Sequence, residues 1–227
     1  MKLAIVDYGS GNLRSAAKAF ERAAGEANTR CEISVTADPD LVANADRIIL
    51  PGVGAFRACR DGLFALDGMV EALEGAIFGK GRPLFGICVG MQLLADIGEE
   101  FGETPGLGWI GGRVIAIPPK PGRIIPHMGW NTLAMKKQTV IGGEQEGVET
   151  LSSHTLFKNI DPDDHAYFVH SYHMVADAQT VVAETNYDGV TLAAAVAKDN
   201  IFATQFHPEK SQRLGLQLFQ NFLGWEP

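Results

Sequence analysis

Through the first ninety or so residues, short apolar runs alternate with stretches of helical periodicity. Positions 3–6 predict a buried strand, and positions 12–24 repeat apolar side chains at helical spacing until Gly25. Positions 32–36 alternate like a strand, 41–44 predict a short helix, and 47–50 predict a strand running into Pro51-Gly52-Val53-Gly54. Helices are expected over 55–66 and 69–78, then a strand leading into Cys88, then a helix over 91–97. Strands that alternate with helices imply a parallel sheet covered on both faces. In the second half, strands are expected at 110–117, 167–169, 180–184, 192–197 and 201–205, with few helices between them. Antiparallel additions to the same sheet follow from that spacing, and an amphipathic helix over about 211–223 closes the chain. The expected fold is therefore α/β: an open, mostly parallel central sheet flanked by helices, with antiparallel additions.

Composition narrows this picture. The 227 residues are 46% hydrophobic, enough for a single domain over 1–227 with a sizeable core. Positions 136–153 are polar, glycine-rich and weakly periodic, and are expected to form a mobile surface insertion. The formal net charge of −8 argues against nucleic acid as a partner. The apolar start is too short for a signal peptide and is broken by Asp7, and no run is long enough for a transmembrane helix. Three cysteines without framework spacing fit a reducing cytoplasm.

One cysteine stands apart. Gly86-Ile87-Cys88-Val89-Gly90 joins an apolar strand to a helical pattern, the layout of a nucleophile elbow with cysteine in place of serine. The flanking glycines are expected to let the chain turn sharply there. The helix N-terminus would favour a thiolate and offer the Val89 N–H to an oxyanion. Far downstream, the strand at 201–205 ends in Phe206-His207-Pro208-Glu209, which supplies a base and a carboxylate to orient it. Cys31 and Cys59 have no glycine frame and read as small hydrophobes. Gly52-Val53-Gly54 lacks the rest of a phosphate-binding motif and makes better sense as a backbone donor facing Cys88, with Val53 N–H the second oxyanion contact. His154 and His165 lie in polar stretches and are expected to be solvated. His127, His170 and His173 lack metal-ligand spacing, so neither a metal nor another cofactor is expected.

Gly-Ile-Cys-Val-Gly-Met-Gln with a distant Phe-His-Pro-Glu resembles the class I (triad) glutamine amidotransferases, whose core is flavodoxin-like, over nearly the whole chain. Asp7-Tyr8-Gly9-Ser10-Gly11-Asn12-Leu13, Pro126-His127-Met128-Gly129-Trp130-Asn131 and Tyr167-Phe168-Val169-His170-Ser171-Tyr172 are similar to the glutaminase subunits of imidazole glycerol phosphate synthases. The resemblance implies a catalytic triad of Cys88, His207 and Glu209 that hydrolyses glutamine. It places Gly52, Gly54, Gln92, Ser171 and Tyr172 at the substrate, with a helix-surface glutamine the equal alternative for Gln92. It also implies a barrel-shaped cyclase subunit as heterodimer partner, with Asn12, Met128, Trp130 and Tyr167 at or near the contact. Trp130 is either a core aromatic or, given Gly129 and Asn131 beside it, part of an exposed turn. The competing functions are a glutaminase for another synthase, a silent partner-activating module, and a cysteine peptidase or small-molecule hydrolase.

Overall fold

The computed structural model of the chain describes residues 1–141 and 149–227, with side chains described outside 138–152. Strands β1 (Lys2–Val6), β2 (Glu32–Thr36), β3 (Arg47–Gly52) and β4 (Leu84–Cys88) alternate with helices α1 (Leu13–Glu26), α2 (Pro39–Ala43), α3 (Phe56–Phe64) and α4 (Met69–Glu74). Helix α5 (Val89–Gln92) starts directly at the end of β4. Short strands follow: β5 (Ile97–Gly98), β6 (Thr104–Pro105), β7 (Gly112–Ala116), β8 (His127–Thr132), β9 (Ala134–Met135), β10 (Lys137–Ile141) and β11 (Glu149–Ser153). The chain then forms β12 (His165–His170), β13 (Tyr172–Ala176), β14 (Val181–Tyr187), β15 (Val190–Lys198), β16 (Ile201–Thr204) and α6 (Gln212–Leu223).

Eight strands make the main sheet, in the order β2-β1-β3-β4-β16-β15-β14-β9. The first five are parallel, in the 2-1-3-4-5 arrangement of flavodoxin-like sheets. The last three pair antiparallel, as the alternation predicted. Strands β3, β4 and β16 are buried along their whole length, the pattern of strands covered on both faces. Phe85 packs against Phe202, Phe219 and Phe222, and Phe20 of α1 lies 4.1 Å from Phe219 of α6, centroid to centroid. Each such phenylalanine contributes about 1.5–3 kcal/mol by leaving water.

Three expectations need correction. The strands expected at 110–117 and 167–169 do not extend the main sheet: β7 lies in a four-stranded sheet of order β13-β7-β5-β6, and among the described residues β12 pairs only with β8. The helix expected over 91–97 stops at Gln92, because the carbonyls of Leu93, Leu94 and Ala95 are taken by N–H groups of Leu107, Ile110 and Gly108. A continuing helix would need those carbonyls for its own ladder. Finally, the described residues of 136–153 include an antiparallel ribbon, β10 with β11, where a loop was expected; positions 142–148 lie outside the described residues.

Parallel strands all point the same way, so their carboxyl ends gather at one edge of the sheet. Register makes this specific. Gly52 is paired with Cys88, and Thr204 with Ile87, so Gln205 falls level with the nucleophile and the chain reaches His207 two residues later.

Candidate active site

Cys88 carries the strain of the elbow itself. Its φ of 55° and ψ of −111° lie outside the regions favoured by residues with a Cβ. Gly86 and Gly90 do not take positive φ, contrary to the sharp-turn role expected of them. They serve close packing instead: a Cβ on Gly90 would lie 1.8 Å from the Leu50 carbonyl oxygen. The missing side chain thus lets α5 sit against β3 while β4 delivers the thiol at its end.

His207 and Glu209 complete the cluster. The buried imidazole donates from Nδ1 to Glu209 Oε1 at 2.9 Å, and Asn12 Nδ2 donates to the same oxygen at 3.3 Å. His207 is anchored by its backbone, which donates to the Tyr167 carbonyl and accepts from Ser211 Oγ. Burial alone lowers the affinity of the imidazole for a proton. The Cys88 thiolate and the Glu209 carboxylate outweigh it, and together hold the His207 pKa up to about 10. His207 Nε2 makes no hydrogen bond of ordinary geometry among the described residues.

The loop after β3 departs from expectation. Val53 N–H does not point to the nucleophile; it donates to Ser10 Oγ at 2.9 Å. The same hydroxyl donates to the Val53 carbonyl at 2.6 Å, and the Cys59 thiol reaches that carbonyl at 3.2 Å. Cys59 is buried as a small hydrophobe would be, yet its thiol also helps clamp the loop. Val89 lines the cavity at the start of α5, where the first N–H groups of a helix have no partner within it. Gly52 sits beneath the loop, where a Cβ would meet the Tyr8 hydroxyl at 2.6 Å, and does not line the cavity.

A cavity of 230 Å³ opens over Cys88 and His207. Gly54, Gln92, Ser171 and Tyr172 line it together with Val53 and Val89. Gln92 is buried, not on a helix surface, and its Nε2 donates at 3.0 Å to both the Tyr172 carbonyl and Gln205 Oε1. Both of its N–H groups are thereby used, and Oε1 alone is free for a ligand. Glu100, which no motif marked, also lines the cavity; it accepts from Phe56 N–H at 2.7 Å and caps α3. The one hint in the sequence was a pair of acidic residues following a glycine.

The expected contact residues divide. Met128 and Trp130 project from β8, 62% and 48% exposed, and Trp130 is on a strand and not in a turn. Tyr167, opposite Trp130 on β12, meets it edge to face at 5.6 Å. Asn12 is spent on Glu209. His165 is exposed, but His154 is half-buried: it packs on Phe202 and Trp225, caps a short turn by accepting from Leu156 N–H, and burial lowers its pKa to about 4. Among the described residues no three His, Cys, Asp or Glu side chains converge as a metal site, and no helix is long and apolar enough to cross a membrane.

A parallel sheet that brings a strained cysteine, a histidine and a carboxylate to its edge defines a class of enzymes, and residues 4–224 match the family described as glutamine amidotransferase class-I. The chain belongs to that family. It is similar, at 53% identity over 229 residues and 100% of both chains, to the imidazole glycerol phosphate synthase subunit HisH of Rhodospirillum rubrum. The subunit of the same name from Rhizobium meliloti is also 53% identical, over 232 residues and all of both chains. Among solved structures, the glutaminase domain of a Trypanosoma brucei CTPS with bound acivicin shares the fold, with a TM-score of 0.65 at 17% identity over 99% of this chain and 92% of that one.

Proposed function

We propose that the chain hydrolyses glutamine to glutamate and ammonia through a Cys88 thioester and delivers the ammonia to a cyclase subunit that makes imidazole glycerol phosphate in histidine biosynthesis. The observation that carries this reading is the strained Cys88 beside the buried His207–Glu209 pair, in a chain whose full-length relatives bear that synthase's name. The Cys88 thiolate attacks the side-chain amide carbon, and the His207 imidazolium protonates the departing ammonia. Water, deprotonated by the neutral imidazole, then releases glutamate. Glu209, steadied by Asn12, keeps the imidazole in the tautomer this exchange needs.

Substrate recognition follows from the cavity. Glu100 is its carboxylate for the glutamine ammonium, Gln92 Oε1 accepts from substrate N–H, and Ser171 and Tyr172 border the amino-acid end. Partner binding turns the Val53 peptide away from Ser10, so that its N–H joins Val89 N–H at the oxyanion. Met128, Trp130 and Tyr167 form the apolar part of the surface the cyclase covers. The chain acts as one unit, supported by a continuous apolar core from Leu3 to Trp225, and works in the cytoplasm, which suits its free cysteines.

The test measures glutamate release by the purified chain, alone and with a cognate cyclase subunit plus its nucleotide ligand. Strong stimulation that Cys88→Ala abolishes is the expected result. Activity indifferent to the cyclase would assign the chain to another synthase, and no activity in either condition would make it a silent activating module. Val53→Pro, which removes the N–H, should lose the stimulation; retaining it would refute the role given to that peptide.

A further inference from the structure

A continuous run of hydrogen bonds crosses the interior from β8 to the nucleophile. Asn131 Nδ2 lies 3.4 Å from His127 Nε2, and His127 Nδ1 lies 3.1 Å from His170 Nε2. His170 Nδ1 meets the Tyr172 carbonyl at 2.9 Å, and the same carbonyl accepts from Gln92 Nε2. Gln92 Nε2 also donates to Gln205 Oε1, and Gln205 Nε2 lies 3.7 Å from Cys88 Sγ. Gln205 is fully buried at the end of β16.

The direction of this chain is not free. A carbonyl oxygen only accepts, so both groups facing Tyr172 O must be N–H donors. His170 therefore carries its proton on Nδ1, its Nε2 accepts, and His127 Nδ1 must donate to it. On the other branch, Gln92 presents its amide nitrogen to Tyr172 O and hence to Gln205, which must answer with oxygen. Flipping Gln205 would set two NH2 groups against each other in a buried site, at the cost of an unsatisfied donor. Only the Gln205 N–H is left to face the sulfur. Burial holds both histidines neutral, with His127 lowered to about 4 and His170 to about 3, as this pattern requires.

We propose that Gln205 is a catalytic residue: its side-chain N–H donates to the Cys88 sulfur and stabilises the thiolate, in an orientation locked by Gln92, the Tyr172 carbonyl and the His170–His127 pair. The inference rests on the reading of Cys88 as the nucleophile. Its consequence is a division of labour. His207 moves the protons, whereas Gln205 stays hydrogen-bonded to the sulfur and favours its charged form before the attack and again as glutamate leaves. The other titratable groups acting on the sulfur or its clamp, His207, Tyr8 and Cys59, are left in place by changing Gln205.

The experiment follows alkylation of Cys88 by iodoacetamide against pH, read at the Cys88 peptide by mass spectrometry so that Cys31 and Cys59 do not contribute. In Gln205→Met, which keeps the bulk and removes the donor, the midpoint of the profile should rise by about one pH unit and the rate below the midpoint fall about ten-fold. Glutamine turnover with the cyclase should fall in kcat more than it changes in KM. Gln92→Met leaves Gln205 in place but unlocks it, and should raise the midpoint by a smaller amount; it stands in if Gln205→Met does not fold. An unchanged midpoint in a folded Gln205→Met, or in Gln92→Met if the former does not fold, overturns the proposal. A Cys88→Ala protein that still turns over glutamine would instead overturn the nucleophile reading beneath it.

Discussion

The two sides of the cavity are built by different means. On the parallel-sheet side, Cys88 and His207 are placed by backbone: strand ends in register, a strained elbow, and glycines that admit close packing. On the side of β8, β12 and β13, Gln92, Tyr172, His170 and His127 are placed by one another, through hydrogen bonds that span 80 residues between Gln92 and Tyr172 and 43 between His127 and His170. A backbone-built position should tolerate a change of polarity in the fold but not a change of shape. A network-built position should tolerate the reverse.

The largest effect expected on the first side is chemical. Glu209→Gln keeps the shape, and should leave the melting temperature within a few degrees while cutting cyclase-stimulated kcat by roughly 10³–10⁴-fold. Gly90→Ala adds only a methyl group, yet it is aimed at the Leu50 carbonyl and should cost about 3 kcal/mol or more in denaturant unfolding. A cost under 1 kcal/mol would show that α5 can shift, and the contrast between the sides would weaken.

Acid should break the second side first. His127 and His170, with folded pKa values of about 4 and about 3 against 6.5 when unfolded, stay neutral in the native state. The stability they provide is present above pH 6.5 and is lost as pH falls towards 4, because the unfolded chain takes up protons that the native one refuses. Between pH 7 and 4.5 unfolding should become easier by about 2 kcal/mol or more, and His127→Phe should remove part of that slope. His207 works in the opposite sense: with its pKa raised to about 10, its contribution is complete below 6.5 and fades as pH rises through 10. The smallest effect belongs to the clamp. Ser10→Ala removes the group holding Val53 N–H and should raise glutaminase activity without the cyclase by about ten-fold, the worth of one hydrogen bond of this kind.

The same contrast explains what could be read from the sequence. The βα alternation up to Cys88, the strand-to-helix junction at Cys88 and the Phe-His-Pro-Glu after β16 are local patterns, and each is found where the sequence placed it. What escaped was non-local. The truncation of α5 depends on residues 107–110 competing for its carbonyls. The burial of His154 depends on Phe202 and Trp225, and nothing near it in the chain announces them. Strand β8 was hidden because Gly129 and Asn131 read as turn residues, whereas its inward and outward faces in fact alternate over His127–Thr132. Ser10, Glu100 and Gln205 gain their meaning only from partners 43, 44 and 117 positions away.

The central claim, that the strained Cys88 forms a covalent bond to the substrate, is tested most directly by acid-quenching the enzyme during turnover of glutamine with its cyclase and ligand, then weighing the peptides. The account predicts a glutamyl adduct on the peptide containing Cys88, accumulating with substrate and absent from Cys88→Ala. Steady glutamate production with no adduct on that peptide, or production that continues in Cys88→Ala, would contradict it.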